Sequence, residues 1–361
     1  MTGVGVGMVK SRPDLTEVAF IMNYDRSTDC EAVVNPNGSV MMVSYLLLSV
    51  YIFTFILGVP ANIFIFRTFC IKLRHEPIPI DVLLFILSIS DLIFLTILPL
   101  KMKEAADDME WNMPYVLCPV SNIIFFSGIY TITLLLTAVA VERYVAMTFP
   151  FKHTAWHRHR YVVIPSVFFW LVSIANISII YIVPIMHSDN VTSTVTPEVP
   201  RKPMKCHDYR YEQHTIVKAV HLELFLVLFL IPLLICCFCY INFLRITFQL
   251  RNVPRKRRLR AVGLVVVTFL LFAICFAPYN ISHVVGYVHG REEGWRDVVL
   301  ISTTLTACLD LMIFYFSPTM RRAVSCCWHG LVEKLPIQHC PRAQAAPPPH
   351  NSCKNTYQDT Y

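Results

Sequence analysis

Arg296 opens one apolar run of this chain, and Tyr279 and His283 stand four residues apart in the run before it. Four residues is about one helical turn, so on a helix the phenol and the imidazole share a face. An arginine presents a fixed fork of donors that meets a carboxylate at two points. His221 and Glu223 open another apolar run, and Tyr130 lies inside a third. Gathered around one cavity, Arg296, Tyr279, His283, His221 and Tyr130 form an anion site with one permanent cation and several neutral donors. Taken singly each has an ordinary explanation: an outer arginine is usually solvated, and a lone buried histidine usually packs in a core. The set is what argues for a ligand with a carboxylate group.

A second constellation lies at the other end of the run that starts at Cys118. That run carries no charge until it closes on Glu142-Arg143-Tyr144. A charge pair at that depth is costly and therefore usually functional, although a snorkelling arginine at a helix end is the plain alternative. Three further polar groups fall inside apolar runs: Asn62, Asp91 and Asp310. An unpaired carboxylate there is expensive, so these should face other helices, water or an ion.

The elements that must position these groups are membrane helices. Of 361 residues, 55% are hydrophobic and 15% charged, against roughly 25% charged in a soluble domain. A bilayer core of about 30 Å needs roughly 20 apolar residues per helix. Seven runs qualify, near 42–69, 80–100, 116–141, 161–185, 215–248, 261–289 and 297–317. The expected fold is all-α: a bundle over 41–318 between a disordered N-terminal stretch, 1–40, and a disordered tail, 336–361. Residues 319–335 carry a basic and an aromatic face and read as a short amphipathic helix on the membrane surface.

The net charge of +7 is a topology signal, not a nucleic-acid one. Lys72 and Arg74, Lys152 with Arg158 and Arg160, the run Arg255-Lys256-Arg257-Arg258-Leu259-Arg260, and Arg321-Arg322 follow the odd-numbered runs. Glu104, Asp107, Asp108 and Glu110, with the single base Lys103, follow the second. Bases mark the cytoplasmic side, so the N-terminus is expected outside. Sequons at Asn37 and Asn190 agree, as glycosylation sites facing the secretory lumen. Of 13 cysteines only Cys30, Cys118 and Cys206 fall outside. Cys118 and Cys206 are expected to be bridged in that oxidising compartment, leaving Cys30 without an obvious partner. Cys326 and Cys327, just past the last run, are candidates for palmitoylation.

This inventory resembles the rhodopsin-like G protein-coupled receptors. The matching features are Asn62, Asp91, Cys118 with Cys206, Glu142-Arg143-Tyr144, Trp170, Pro232 with Tyr240, and Pro278. Within that class the chain is similar to the free fatty acid receptors, the short-chain members above all. Leu98-Pro99-Leu100-Lys101, Glu104-Ala105-Ala106, the stretch from Phe276 to Tyr287, and Trp295-Arg296 carry that likeness. The resemblance implies a plasma-membrane receptor, not an enzyme, with no cofactor and no bound metal. Its ligand would be a short- to medium-chain fatty acid or other small carboxylate. Its partners would be a heterotrimeric G protein of the Gi/o or Gq class, arrestin and membrane lipids. Glu142, Arg143, Tyr144, Tyr240 and Arg258 would form the coupling face, and Asn62, Asp91 and Asp310 the polar core.

Four departures from the family pattern matter. Phe276 stands where the family usually has Trp, and Leu311 replaces the usual proline of span seven, which puts its hinge in question. His221 stands where the family carries a span-five arginine, and Asn176 where short-chain members carry a span-four histidine. The carboxylate clamp is then halved at neutral pH. Asp208 matches an acidic position that pairs with the arginines. A transporter or channel for small anions is the competing class. Against it, the runs do not form matched halves with interrupted helices. A ligand-evoked current would favour a channel, and guanine nucleotide exchange a receptor. A retinal pigment is excluded, since no lysine lies between 297 and 318.

Overall fold

The computed structural model describes residues 36–75, 78–114, 116–149, 160–191, 206, 215–249, 254–289 and 295–325. Seven helices among them are long and apolar enough to cross a membrane. The first four are α1 Pro36–His75, α2 Pro79–Ala106, α3 Leu117–Thr148 and α4 Arg160–Val191. α5 runs through Thr215–Glu223, a π-helical Leu224–Leu230 and Ile231–Gln249. α6 runs through Arg255–Leu270, a π-helical Leu271–Phe276 and Ala277–His289. α7 consists of Arg296–Thr304 and Thr306–Phe316, and α8 occupies 318–325. The chain up to Val43 is one unit, of which the described part is the opening of α1; the bundle from Ser44 onward is the other.

The helices outrun the apolar stretches that predict them. α2 continues to Ala106, α3 to Thr148 and α4 to Val191, because backbone hydrogen bonding does not stop where hydrocarbon stops and Lys, Glu and Arg are good helix formers. Three expectations shift as a result. Glu104, read above as a loop charge, lies in α2. Asn37 and Asn190, the two sequon asparagines, lie in the first and last turns of α1 and α4. Cys30, Asp208, Cys326 and Cys327 lie outside the described residues, as do most of the loop bases.

α3 is the axis of the bundle. Phe125, Phe126, Ile129, Tyr130, Ile132, Leu135, Leu136, Val139 and Ala140 are all buried, and the helix packs against α2, α4 and α5. α4 is peripheral: Ile164, Val167, Phe168 and Leu171 are exposed, an apolar face suited to lipid. The bends have local causes. Pro232 and Pro278 cannot donate to the preceding turn, and each is preceded by a π-helical segment that absorbs the misfit. In α7 the break falls at Leu305, six residues before the position where a proline would be expected. There Thr303 and Thr304 both donate to the Leu300 carbonyl (2.8 and 3.0 Å), and Thr306 donates to Thr303 O (2.6 Å). Hydroxyl groups that bond back to the helix backbone loosen it, so threonines supply the bend that Leu311 cannot.

At the end where α3, α5 and α7 begin, Cys118 and Cys206 are bridged across 88 residues of chain, with Cα atoms 5.7 Å apart. Trp111 packs on the bridge, its indole N–H donating to Pro114 O (3.2 Å), and Asn122 Nδ2 lies 3.1 Å from Cys206 Sγ. Beneath sits a buried ion pair. Lys101 is 2% exposed and Glu104 3%, with Nζ 2.8 Å from Oε2. Lys101 also donates to Asn122 Oδ1 and lies 5.6 Å over the Phe125 ring. The turn between α2 and α3 is tightened by Asp108 and Met109 in the left-handed region (φ 55° and 66°). Just past the end of α2, Lys103 bridges Asp107 at 2.7 Å and holds that carboxyl below the usual carboxylate range.

Two outcomes follow. Cys206→Ser should abolish surface expression or ligand response, since closing a loop of this length is worth about 4–5 kcal/mol in the chain-entropy picture; normal signalling by that variant would refute the structural role of the bridge. Glu104→Ala should lower the melting temperature of the purified protein sharply, because stranding a buried cation costs about 3–5 kcal/mol. The pair substitution Lys101→Met with Glu104→Leu should recover most of the loss in the same thermal-shift assay.

Candidate functional site

The groups singled out by residue type converge at the disulfide end. Tyr279 and His283 lie on one face of α6, the phenol ring edge-on to the imidazole with centroids 4.7 Å apart. His221 of α5 stacks on His283 at 4.7 Å, with 23° between the ring planes. Arg296, in the first turn of α7, places one guanidinium nitrogen 3.4 Å from His221 Nε2 and 3.4 Å from the Tyr279 hydroxyl. Its guanidinium carbon lies 5.6 Å from the Tyr279 ring centre. His221, Tyr279 and His283 are each no more than 3% exposed, while Arg296 is half-buried. Neither ring nitrogen of His283 has a hydrogen-bond partner. One cation, two imidazoles and a phenol thus meet at the junction of α5, α6 and α7.

Tyr130 and Asn176 stand differently. The Tyr130 hydroxyl donates to Asn280 Oδ1 at 3.3 Å, so it braces α3 against α6 one residue beyond Tyr279. Asn176 turns its amide back on its own helix, to Val172 O at 3.0 Å. Glu223, two residues from His221, is exposed.

The structure adds residues that residue type alone did not mark. Phe126 of α3 stacks on Tyr279 (5.8 Å, 9°) and on Tyr181 of α4 (6.3 Å, 16°). With the histidines these make a continuous wall of rings from α4 through α3 and α6 to α5, stacked except at the edge-on step from Tyr279 to His283. The available signal was the spacing of Phe126 and Tyr130, four residues apart and therefore on one face of α3.

In the middle of the bundle Asn62 donates from Nδ2 to Gly58 O (3.1 Å) and across to Ala307 O of α7 (3.3 Å). Asp91 and Asp310 are fully buried and interact with each other electrostatically. Trp170 of α4 donates to Ser90 Oγ, next to Asp91, at 3.2 Å. Two carboxyls so placed repel when both are charged, and a shared proton or a cation relieves that repulsion.

At the opposite end Arg143 is half-buried, with its Nε inside the bundle and no hydrogen-bond partner there. Tyr240 hydrogen-bonds Thr268 of α6 (3.2 Å), and Tyr144 meets Phe238 edge-on (5.8 Å). Arg258 is half-buried near the start of α6. Asp81, which residue type alone did not mark, accepts from the Thr319 hydroxyl of α8 at 3.3 Å on both oxygens and lies within electrostatic range of Arg143. Gly263 of α6 approaches α7 so closely that a β-carbon there would fall 2.6 Å from the Phe316 ring. In α8, burial and the neighbouring Arg260 and Arg322 push the Arg321 guanidinium below its usual range.

The family model for the 7 transmembrane receptor (rhodopsin family) matches residues 61–314. Free fatty acid receptor 3 of Mus musculus is 38% identical over 292 residues, covering 81% of this chain and 88% of that protein. Free fatty acid receptor 2 of Homo sapiens is 38% identical over 281 residues, covering 77% and 83%. Proteinase-activated receptor 1 of Xenopus laevis is 26% identical over 277 residues, covering 74% and 63%. These matches and the seven-helix bundle make the chain a multi-pass plasma-membrane protein and not an enzyme: it belongs to the free fatty acid receptors among the rhodopsin-family G protein-coupled receptors.

Proposed function

We propose that this receptor is activated by small extracellular carboxylates, short- to medium-chain fatty acids first among them, and signals through a G protein of the Gi/o or Gq class. The observation that carries the reading is the placement of Arg296, with one guanidinium nitrogen 3.4 Å from both His221 and Tyr279 at the disulfide end. The names of the relatives, free fatty acid receptors 2 and 3, support the same ligand class. Arg296 takes the carboxylate, Tyr279 and the two histidines orient it, and Phe126, Tyr181 and Tyr130 line the way inward. Asn176 sets the far wall, where it substitutes for a histidine of the short-chain pattern.

The N-terminus and the disulfide lie outside in this reading. Glu142, Arg143, Tyr144, Tyr240 and Arg258 form the inner face for the G protein and, after activation, arrestin. Asn62, Asp91 and Asp310 form a polar core that holds a proton or an ion and couples the two ends. Glycosylation at Asn37 and Asn190, palmitoylation at Cys326 and Cys327, and contact of the juxtamembrane helix with membrane lipids belong to the same proposal.

Two substitutions test the assignment, each read by nucleotide exchange with a panel of carboxylates from acetate to palmitate. Arg296→Ala should weaken the response about 10- to 150-fold, the range of a charge-assisted hydrogen bond at about 1.5–3 kcal/mol. Arg296→Lys should restore it only in part, because a point charge lacks the fork; an unchanged curve for the alanine variant would place the ligand elsewhere. Arg143→Ala should remove ligand-stimulated exchange while ligand binding survives, and wild-type exchange in that variant would refute the inner-face assignment.

A further inference from the structure

The two histidines differ from packed core imidazoles in what surrounds their nitrogens. His283 is 3% exposed, yet neither of its ring nitrogens has a hydrogen-bond partner. Buried polar groups are nearly always satisfied, so an imidazole left this way is shaped for something that enters. Its neighbour His221, one turn past Val217 on α5, is equally buried. Its Nε2 faces the Arg296 guanidinium at 3.4 Å.

A guanidinium can only donate. For that contact to be attractive, Nε2 must offer a lone pair, so beside Arg296 alone His221 is neutral, with its proton on Nδ1. A carboxylate arriving at Arg296 changes the requirement. It brings only acceptor oxygens, and it meets the Nε2 lone pair as acceptor against acceptor. One proton on the ring reverses this contact: His221 becomes a donor on both nitrogens and supplies the second positive charge opposite Arg296.

The surroundings limit where that proton can go. From α6, Tyr279 and His283 face His221, and from α7, Arg296 does. On α5 itself Lys218 is half-buried and Glu223 exposed; α4 contributes Tyr181 and α3 Tyr130, both buried phenols. The stacked pair is the group at the site able to change its charge near neutral pH.

Resting on the carboxylate reading above, we propose that the receptor takes up its carboxylate together with one proton from solvent, held on the stacked His221–His283 pair. The charge balance is simple. An anion and a proton enter, no covalent bond in the ligand forms or breaks, and the occupied site carries the same net charge as the empty one. The receptor then responds to the product of carboxylate and proton concentrations, so it reports an acidified source of small acids above a neutral one at equal concentration. Apparent affinity is highest at low pH and falls as pH rises, by up to about tenfold per pH unit where the empty pair is neutral. Below about pH 5 the ligand's own carboxyl takes up protons, which sets the lower edge of the window.

The test is calorimetric titration of propionate into the purified full-length receptor in lipid nanodiscs, in buffers of different ionisation enthalpy, between about pH 6 and about pH 8. Ethanesulfonate, which stays ionised throughout, is titrated in parallel. The expected result is roughly one proton taken up per propionate above neutral pH, with half-saturation rising about tenfold per pH unit and the same slope for ethanesulfonate. His221→Arg should bind propionate at about pH 8 as tightly as wild type does at about pH 6, with no proton uptake. Propionate binding without proton uptake overturns the proposal and leaves the carboxylate reading standing, since a mere exchange of tautomers moves no net proton. An unchanged pH slope in His221→Arg also overturns it, and the wild-type proton count decides the matter if that variant fails to fold. No binding of any carboxylate at any pH overturns both readings.

Discussion

In hydrocarbon a backbone N–H or C=O has no water to fall back on, so each must find its partner inside its own helix. Everything else in this bundle is arranged around that requirement. It fixes the seven helices, and it makes every interruption of a helix an event that needs a local remedy. The interruptions are few and informative. α5 and α6 widen into π-helical turns ahead of Pro232 and Pro278, and α7 breaks at Leu305, where three threonine hydroxyls take up carbonyl oxygens. Ser302 reaches from α7 to the Cys275 carbonyl in the π-helical part of α6 (3.4 Å). Two loosened segments therefore touch, immediately below the rings of Tyr279 and His283. On the proposed function, a ligand pressing on the rings shifts helices here without breaking a regular ladder.

The same solvent forces charges inward and into company. Lys101 pairs with Glu104 under the disulfide, and Asp91 and Asp310 share the middle of the bundle. Arg143 and Asp81 lie within range of one another at the opposite end. The cluster of Arg296, Tyr279, His221 and His283 is where that rule is relaxed. There a guanidinium faces an imidazole and a phenol, and a second imidazole has both nitrogens idle. On the proposed function such a cluster suits an anion, and the stacked rings of Phe126, Tyr181 and Tyr279 flank it.

Much of this was legible in the amino-acid sequence because bilayer thickness sets helix length and the apolar runs are unambiguous. The i, i+4 pairing of Tyr279 with His283 and the depth of Asp91 and Asp310 follow from position along a helix of known rise. Helix ends were less legible, since α2, α3 and α4 carry on past the last apolar residue, and so Glu104 passed for a loop charge. The bend in α7 was legible only as a missing proline: that threonines supply it depends on which hydroxyls turn back on which carbonyls.

What the sequence determined by itself is the inventory and its depth: one arginine, two histidines and a phenol near one membrane face, and an arginine beside a glutamate near the other. Only the tertiary structure decided which of these meet. The His221 stack on His283, the reach of Arg296 to both His221 and Tyr279, and the intrusion of Phe126 between α4 and α6 depend on the rotation and crossing of helices. Those are set by packing summed over many side chains, and no spacing within one helix encodes them.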